Sequence, residues 1–233
     1  MKNFRTLFLV VVIAALFVPI STNAQEEEAT KEKSSPFSVG ADLVSSYVWR
    51  GLKYGGPALQ PYVEFGVGGF AIGAWGSFGI GPIDEAVNEA DLYAAYSFDF
   101  GLSVGLTDYY YQGSPYFEYS DTISSHAFEA NLGYEIGGFS IAANYIFNDA
   151  HAGAGSQGGD MYFEAGYSFS NFNIFFGAGD GWHTTDGDFA ICNIGIGASK
   201  DLQITDKFAL PISGAVSVNP EAEQFNLVVA ISF

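Results

Sequence analysis

The feature that most limits what this chain can fold into is a two-residue alternation running from Phe37 to Phe233. Along 37–49 the odd positions carry Phe37, Val39, Ala41, Leu43, Ser45, Tyr47 and Trp49, and the even positions include Ser38, Gly40, Asp42 and Ser46. Successive side chains of a β-strand point to opposite faces, so one face of such a strand is apolar and the other small or polar. The pattern returns as Leu92, Ala94, Tyr96 and Phe98 against Asp91, Tyr93 and Ser97, and as Phe225, Leu227, Val229 and Ile231 against Gln224, Asn226 and Ser232. Twelve segments follow, at 37–49, 57–67, 70–80, 89–99, 102–111, 125–136, 139–148, 159–169, 172–180, 188–199, 207–218 and 224–233. Most are about ten residues long, which suits a tilted strand crossing a bilayer.

The connections add an independent signal. Gly68-Gly69, Gly137-Gly138 and Ser170-Asn171 are tight hairpin links, while 50–56, 81–88, 112–124, 149–158 and 181–187 are longer and polar. Short and long links alternate, as they do in outer-membrane barrels with short periplasmic turns and longer external loops. The link at 200–206 is intermediate and departs from the rule.

Ahead of the alternation, Lys2 and Arg5 precede an apolar run from Leu7 to Ile20 and a cleavage-like Thr22-Asn23-Ala24. Residues 1–24 thus read as a secretory signal peptide, the run being short for a membrane-spanning helix. Residues 25–35, QEEEATKEKSS, read as a flexible periplasmic leader, and 36–233 as a single barrel of about twelve antiparallel up-and-down strands in the bacterial outer membrane. The chain is 48% hydrophobic and 17% aromatic, yet beyond the signal it has no apolar run long enough for a spanning helix. A closed barrel absorbs that apolar surface.

A soluble β-sandwich or lipocalin-like barrel also alternates. The membrane reading is favoured because charged residues share their face with glycine, serine and alanine, leaving the bulky face for lipid. Phe233, ending the last alternating strand, is the expected assembly signal for the barrel-assembly machinery. Cleavage after Ala24 leaves all 26 acids but only six bases, a formal charge of −20 that excludes a nucleic-acid partner. Cys192, the single cysteine, has no internal disulfide partner.

Residues 45–100 carry a resemblance. Tyr47, Trp49, Arg50 and Gly51, then Pro57-Ala58-Leu59-Gln60, then Gly73, Trp75, Gly76 and Ser77, then Glu89, Asp91 and Tyr93 resemble the motifs of the TorF-type porin family. The resemblance implies transport through an outer-membrane barrel.

Strand parity puts Arg50 on the side of Asp42 and Ser46, the lumen, where it is expected to pair with Asp42, Glu64 or Asp91. The lumenal charge cluster comprises Arg50, Asp42, Glu64, Glu89, Asp91, Glu129 and Glu164, and the lumenal aromatics include Tyr62, Trp75, Tyr93 and Tyr162, which are able to fill much of the interior. Barrels of about eight strands are filled by side chains and those of about 16–18 enclose a channel, so twelve lies between. The leading expectation is passive diffusion of small hydrophilic solutes, with cations preferred because the interior is acidic. The alternative is a closed barrel with a surface-binding or structural role.

No enzyme, cofactor or metal is expected. His126, His151 and His183 stand apart with no Ser or Cys motif beside them, and Asp180, Asp186 and Asp188 read as turn residues, a hard-cation site being the sharper alternative. The aromatics of 109–119 and Trp182 fit an interfacial belt against outer-membrane lipid, with a binding surface on 112–124 as the alternative.

Overall fold

The computed structural model describes residues 35–81, 88–120, 123–150, 156–206 and 208–233, so the signal peptide and nearly all of the expected leader lie outside it. The described strands are β1 (Phe37–Val44), β2 (Tyr47–Trp49), β3 (Leu52–Gly55), β4 (Ala58–Val67), β5 (Phe70–Gly79), β6 (Asn88–Ser97), β7 (Leu102–Tyr111) and β8 (His126–Ile136). They continue with β9 (Phe139–Ile146), β10 (Asp149–Ala150), β11 (Ser156–Gln157), β12 (Asp160–Ser168), β13 (Asn173–Gly179), β14 (Ala190–Thr205), β15 (Phe208–Asn219) and β16 (Gln224–Ser232).

Twelve of them close into one barrel, and β2–β3 and β10–β11 form separate hairpins within its loops. Apart from those hairpins each wall strand is antiparallel to its neighbours in the chain, and β1 pairs with β16 to remove the last free edge. At that seam the Ala41 amide donates to the Phe233 carbonyl at 2.9 Å and the Phe233 amide donates back at 3.0 Å. Gly68 and Gly137 supply the positive φ, +62° each, that their two-residue turns require.

The wall is inside out relative to a soluble protein. Val39 is 80% and Leu227 60% exposed on the outer face, while Glu64, Glu129, Asn144 and Asn226 are buried on the inner face. Phe163, Leu227 and Val229, which a soluble core would have enclosed, all stand on the exterior. The alternation is therefore read correctly with bulk outside, and the soluble alternative is set aside.

Two boundaries differ from the sequence expectation. The first strand leaves the wall at Val44 instead of running to Trp49, so Tyr47 and Trp49 are buried and do not continue the outward face. The tenth wall strand runs on to Thr205, pairing with Phe208, which turns the intermediate link at 200–206 into strand and a tight connection. The short links other than 220–223 and both described termini thus lie at one end, here the short-turn end, and the longer links lie with 220–223 at the other.

Candidate functional site

The chain leaves β1 through Ser45, whose amide donates to the Val229 carbonyl and whose hydroxyl accepts from the Val229 amide, both at 2.9 Å. It then folds β2 and β3 inward as a hairpin. The turn between them is Arg50-Gly51, with φ of +49° and +87°, the two positive values of a tight hairpin turn whose twist matches its strands. Positive φ is uncommon for arginine, so other contacts must hold Arg50 there.

Those contacts reach the far wall. Arg50 Nη1 donates to Glu129 Oε2 at 2.5 Å and Nη2 to Glu129 Oε1 at 2.9 Å, a bidentate pair with both side chains nearly fully buried. Glu129 also accepts from Tyr109 Oη at 2.9 Å and Asn131 Nδ2 at 2.6 Å, so its charge is fully hydrogen-bonded. The guanidinium lies 4.3 Å from the Trp49 ring centroid and 4.5 Å from that of Tyr162, sandwiching the cation between aromatic faces. Across the barrel, Asn226 Nδ2 donates to the Gly51 carbonyl at 3.0 Å. A Cβ on Gly51 would overlap the Cys192 carbonyl, so only glycine lets the tip sit against β14.

The hairpin therefore spans the interior from β8 to β14 and β16. Around it Tyr47, Trp49, Tyr109, Tyr111, Ala127, Ile146 and Ala150 form a buried cluster, with Tyr54, Trp75 and Trp182 packed on it. Tyr47 Oη donates to a Glu89 carboxylate oxygen, and Trp49 lies 5.1 Å from Trp182, which reaches in from the 180–189 loop. His183, on a single 3-10 turn at Gly181–His183, has its Nε2 3.4 Å from Arg50 Nη1. Arginine only donates, so that nitrogen accepts. Burial and then the Arg50 charge hold the His183 pKa well below the usual histidine value, keeping the ring neutral.

The expected partner of Arg50 is corrected. It pairs with Glu129 on β8 and with none of Asp42, Glu64 or Asp91. The reason is the departure at Val44: once the chain leaves the wall, strand parity no longer fixes the neighbours of Arg50, and its tip crosses the barrel. Glu64 accepts from Tyr93 Oη at 2.8 Å, and Glu164 accepts from Tyr162 Oη at 2.6 Å and Asn193 Nδ2 at 3.3 Å. Asp42 lies on β1 opposite Gln60 and Ser232. Asp91 is buried beside Glu89 and the Tyr110 backbone amide.

Three of the lumenal aromatics that parity names, Tyr62, Tyr93 and Tyr162, meet glycines of neighbouring strands. Their rings lie flat against glycines on adjacent strands: Tyr62 over Gly40, Tyr93 over Gly73 and Tyr162 over Gly177, with Phe175 over Gly195 in the same manner. Tyr62 keeps 36% of its surface exposed although it faces inward. Tyr62, Tyr93 and Phe175 thus line the lower lumen, whereas Tyr162, against Arg50 and His183, and Trp75 belong to the upper part that the hairpin fills.

Sequence reasoning passed over the hairpin because 50–56 has the composition of an ordinary loop. The findable signal was the pair of short aromatic segments, Tyr47-Val48-Trp49 and Leu52-Lys53-Tyr54, separated by a two-residue Arg-Gly turn. His151 lies outside the described residues. Asp180 Oδ1 accepts from the Met161 amide of β12 at 2.6 Å and Asp186 Oδ1 from the Asp188 amide of its own loop at 2.9 Å. Among the described residues no three His, Cys, Asp or Glu side chains gather as a metal-binding group.

Among solved structures the chain is similar to variants of the Rhodopseudomonas blastica porin. A triple mutant gives a TM-score of 0.44 at 14% identity, over 85% of this chain and 73% of that one. Another variant of that porin gives 0.42 at 14% identity over the same shares. No curated protein sequence matches. The model of a family described as "Bacterial protein of unknown function (Gcw_chp)" matches residues 28–210, most of the chain, and to that family the protein belongs.

Proposed function

We propose that this protein is a porin-type channel of the bacterial outer membrane, of the kind the TorF-type resemblance implies, passing small hydrophilic solutes passively and preferring cations. The observation that carries the reading is the charge balance of the lumen. Among the described residues Arg50 is the one buried arginine or lysine, and Glu129 neutralises it. Asp42, half-buried, and Glu64 remain on the inner wall with no buried arginine or lysine to offset them. In a low-dielectric cylinder that imbalance gives a negative potential, which draws cations in and repels anions.

Lipid meets the bulky outer face, and the C-terminal strand ending at Phe233 serves as the handle for the barrel-assembly machinery. The hairpin at 47–55 is the barrier: solutes pass when it yields its place or along what space it leaves. A second reading, a closed barrel with a surface-binding or structural role, is favoured by the aromatic cluster that packs the long-loop half. Refolded protein in a planar bilayer under a salt gradient separates them. A reversal potential on the cation side supports the channel; an anion-side potential contradicts the charge argument, and absence of current from folded, inserted protein leaves the closed barrel.

A further inference from the structure

We infer that the loop joining β7 to β8 is a lipid-contacting element, folded down the outer wall and seated at headgroup level of the leaflet on the long-loop side, which rests on the membrane reading above. Parity begins the argument. Thr107 and Tyr109 face inward on β7, and Glu129 and Asn131 on β8, so Asp108, Tyr110, His126 and Phe128 face outward. A polar Asp–His pair thus stands on the side of the wall that otherwise carries Leu106 and Leu132.

The pair is close: His126 Nδ1 lies 2.8 and 3.1 Å from the two Asp108 oxygens. Its Nε2 lies 2.6 Å from the Tyr116 carbonyl, so the ring binds the wall on one side and the loop on the other. Charged groups on the lipid face cost about 2–4 kcal/mol at the midplane and about 0–1 near the interface, so such a pair is tolerated at the rim or under a cover. Here it has both. His126 has no exposed surface, because Tyr110, Tyr116 and Tyr119 pack around it at ring separations of 4.8, 5.1 and 4.6 Å.

To cover His126 the loop must turn back over the outside of the barrel, and its own outer surface is apolar. Phe117 is 85% exposed, and Tyr119 and Ile123 each about half. This surface is continuous with the lipid-facing wall, since Tyr119 stacks near Phe128 at 6.5 Å and Phe128 near Phe147 at 6.1 Å. Continuity with that wall identifies the occupant as lipid. Glu118, partly exposed between Phe117 and Tyr119, sets the depth: its carboxylate keeps to the headgroups while the rings on either side dip toward the acyl boundary.

The test is a nitroxide at Phe117→Cys, in a chain whose buried Cys192 is changed to Ala, reconstituted into liposomes. Collision with oxygen, which concentrates in the bilayer, is compared with collision with a water-soluble nickel chelate. Leu132→Cys marks the hydrocarbon and Asp186→Cys the water. The Phe117 label is expected to favour oxygen and to report a depth between the two markers, and adding His126→Ala is expected to move it toward the water marker. A Phe117 label that matches Asp186→Cys while Leu132→Cys is lipid-exposed overturns the inference and leaves the membrane reading intact. Shielding from both relaxants points to a protein cover and overturns it equally. If Leu132→Cys is itself in water, the barrel is not in the bilayer and both readings fall.

Discussion

The same twelve strands build both halves of this barrel, yet the long-loop half is filled and the short-turn half is lined. In the lined half each inward aromatic has a glycine on a neighbouring strand: Tyr62 lies over Gly40, Tyr93 over Gly73 and Phe175 over Gly195. The missing Cβ lets the ring lie close against the strand, covering the thin glycine backbone. In the filled half Tyr109 and Tyr111 face Asp91 and Glu89 across the strand, with no glycine to lie on, and they meet the hairpin instead. A glycine on the neighbouring strand thus goes with the aromatics of the lined half, although Tyr162, over Gly177, meets the hairpin as well.

The comparison breaks most sharply at Arg50. Arg50→Ala leaves Glu129 buried and unpaired, a loss of about 3–5 kcal/mol, and frees the hairpin tip. Urea unfolding in detergent should show that loss, and single-channel current should rise because the barrier is no longer pinned. Smaller is Gly51→Ala, which combines positive φ with overlap of the Cys192 carbonyl. It should cost more than about 1 kcal/mol, read by the same unfolding curve, and should also raise current. An unchanged curve would mean that the tip does not seat against β14.

The lined half is probed by Glu64→Gln, which keeps an acceptor for Tyr93 and removes one lumenal charge. Stability should move by no more than about 0.5 kcal/mol, while the cation-to-anion permeability ratio falls. The smallest effect concerns His183. Its pKa is depressed in the folded protein by burial and by Arg50. The unfolded ring takes up a proton below about pH 6.5 and the folded one does not. Stability is therefore full above that pH and declines as pH falls through it. His183→Gln should flatten this slope between pH 7.5 and 5.5 in unfolding experiments.

Much of the wall was legible because a period of two has only two settings, and a bulky face cannot be confused with one of Gly40, Gly73 and Gly195 when it recurs twelve times. Tight turns such as Gly68-Gly69 fixed strand ends for the same local reason. Parity also named the inward acids, Glu64, Glu129 and Glu164, since that needs no long-range knowledge. It failed where the chain stopped obeying it. Nothing within the stretch 37–49 announces that Ser45 will bond to Val229, so the exit from the wall and the Arg50–Glu129 pair, set by residues far apart in sequence, were out of reach. The strand register puts Asp108 and His126 on one outward face, and nothing local in the sequence announces that a loop returns to cover them.

The central claim is that a movable hairpin, and not the wall itself, closes an acid-lined path. Replacing residues 46–56 with a short glycine linker and recording ion current across a planar bilayer tests it most directly. The account predicts steps many-fold larger than those of the full chain, with the reversal potential still on the cation side. A folded, inserted barrel lacking the hairpin that carries no more current than the full chain would contradict it.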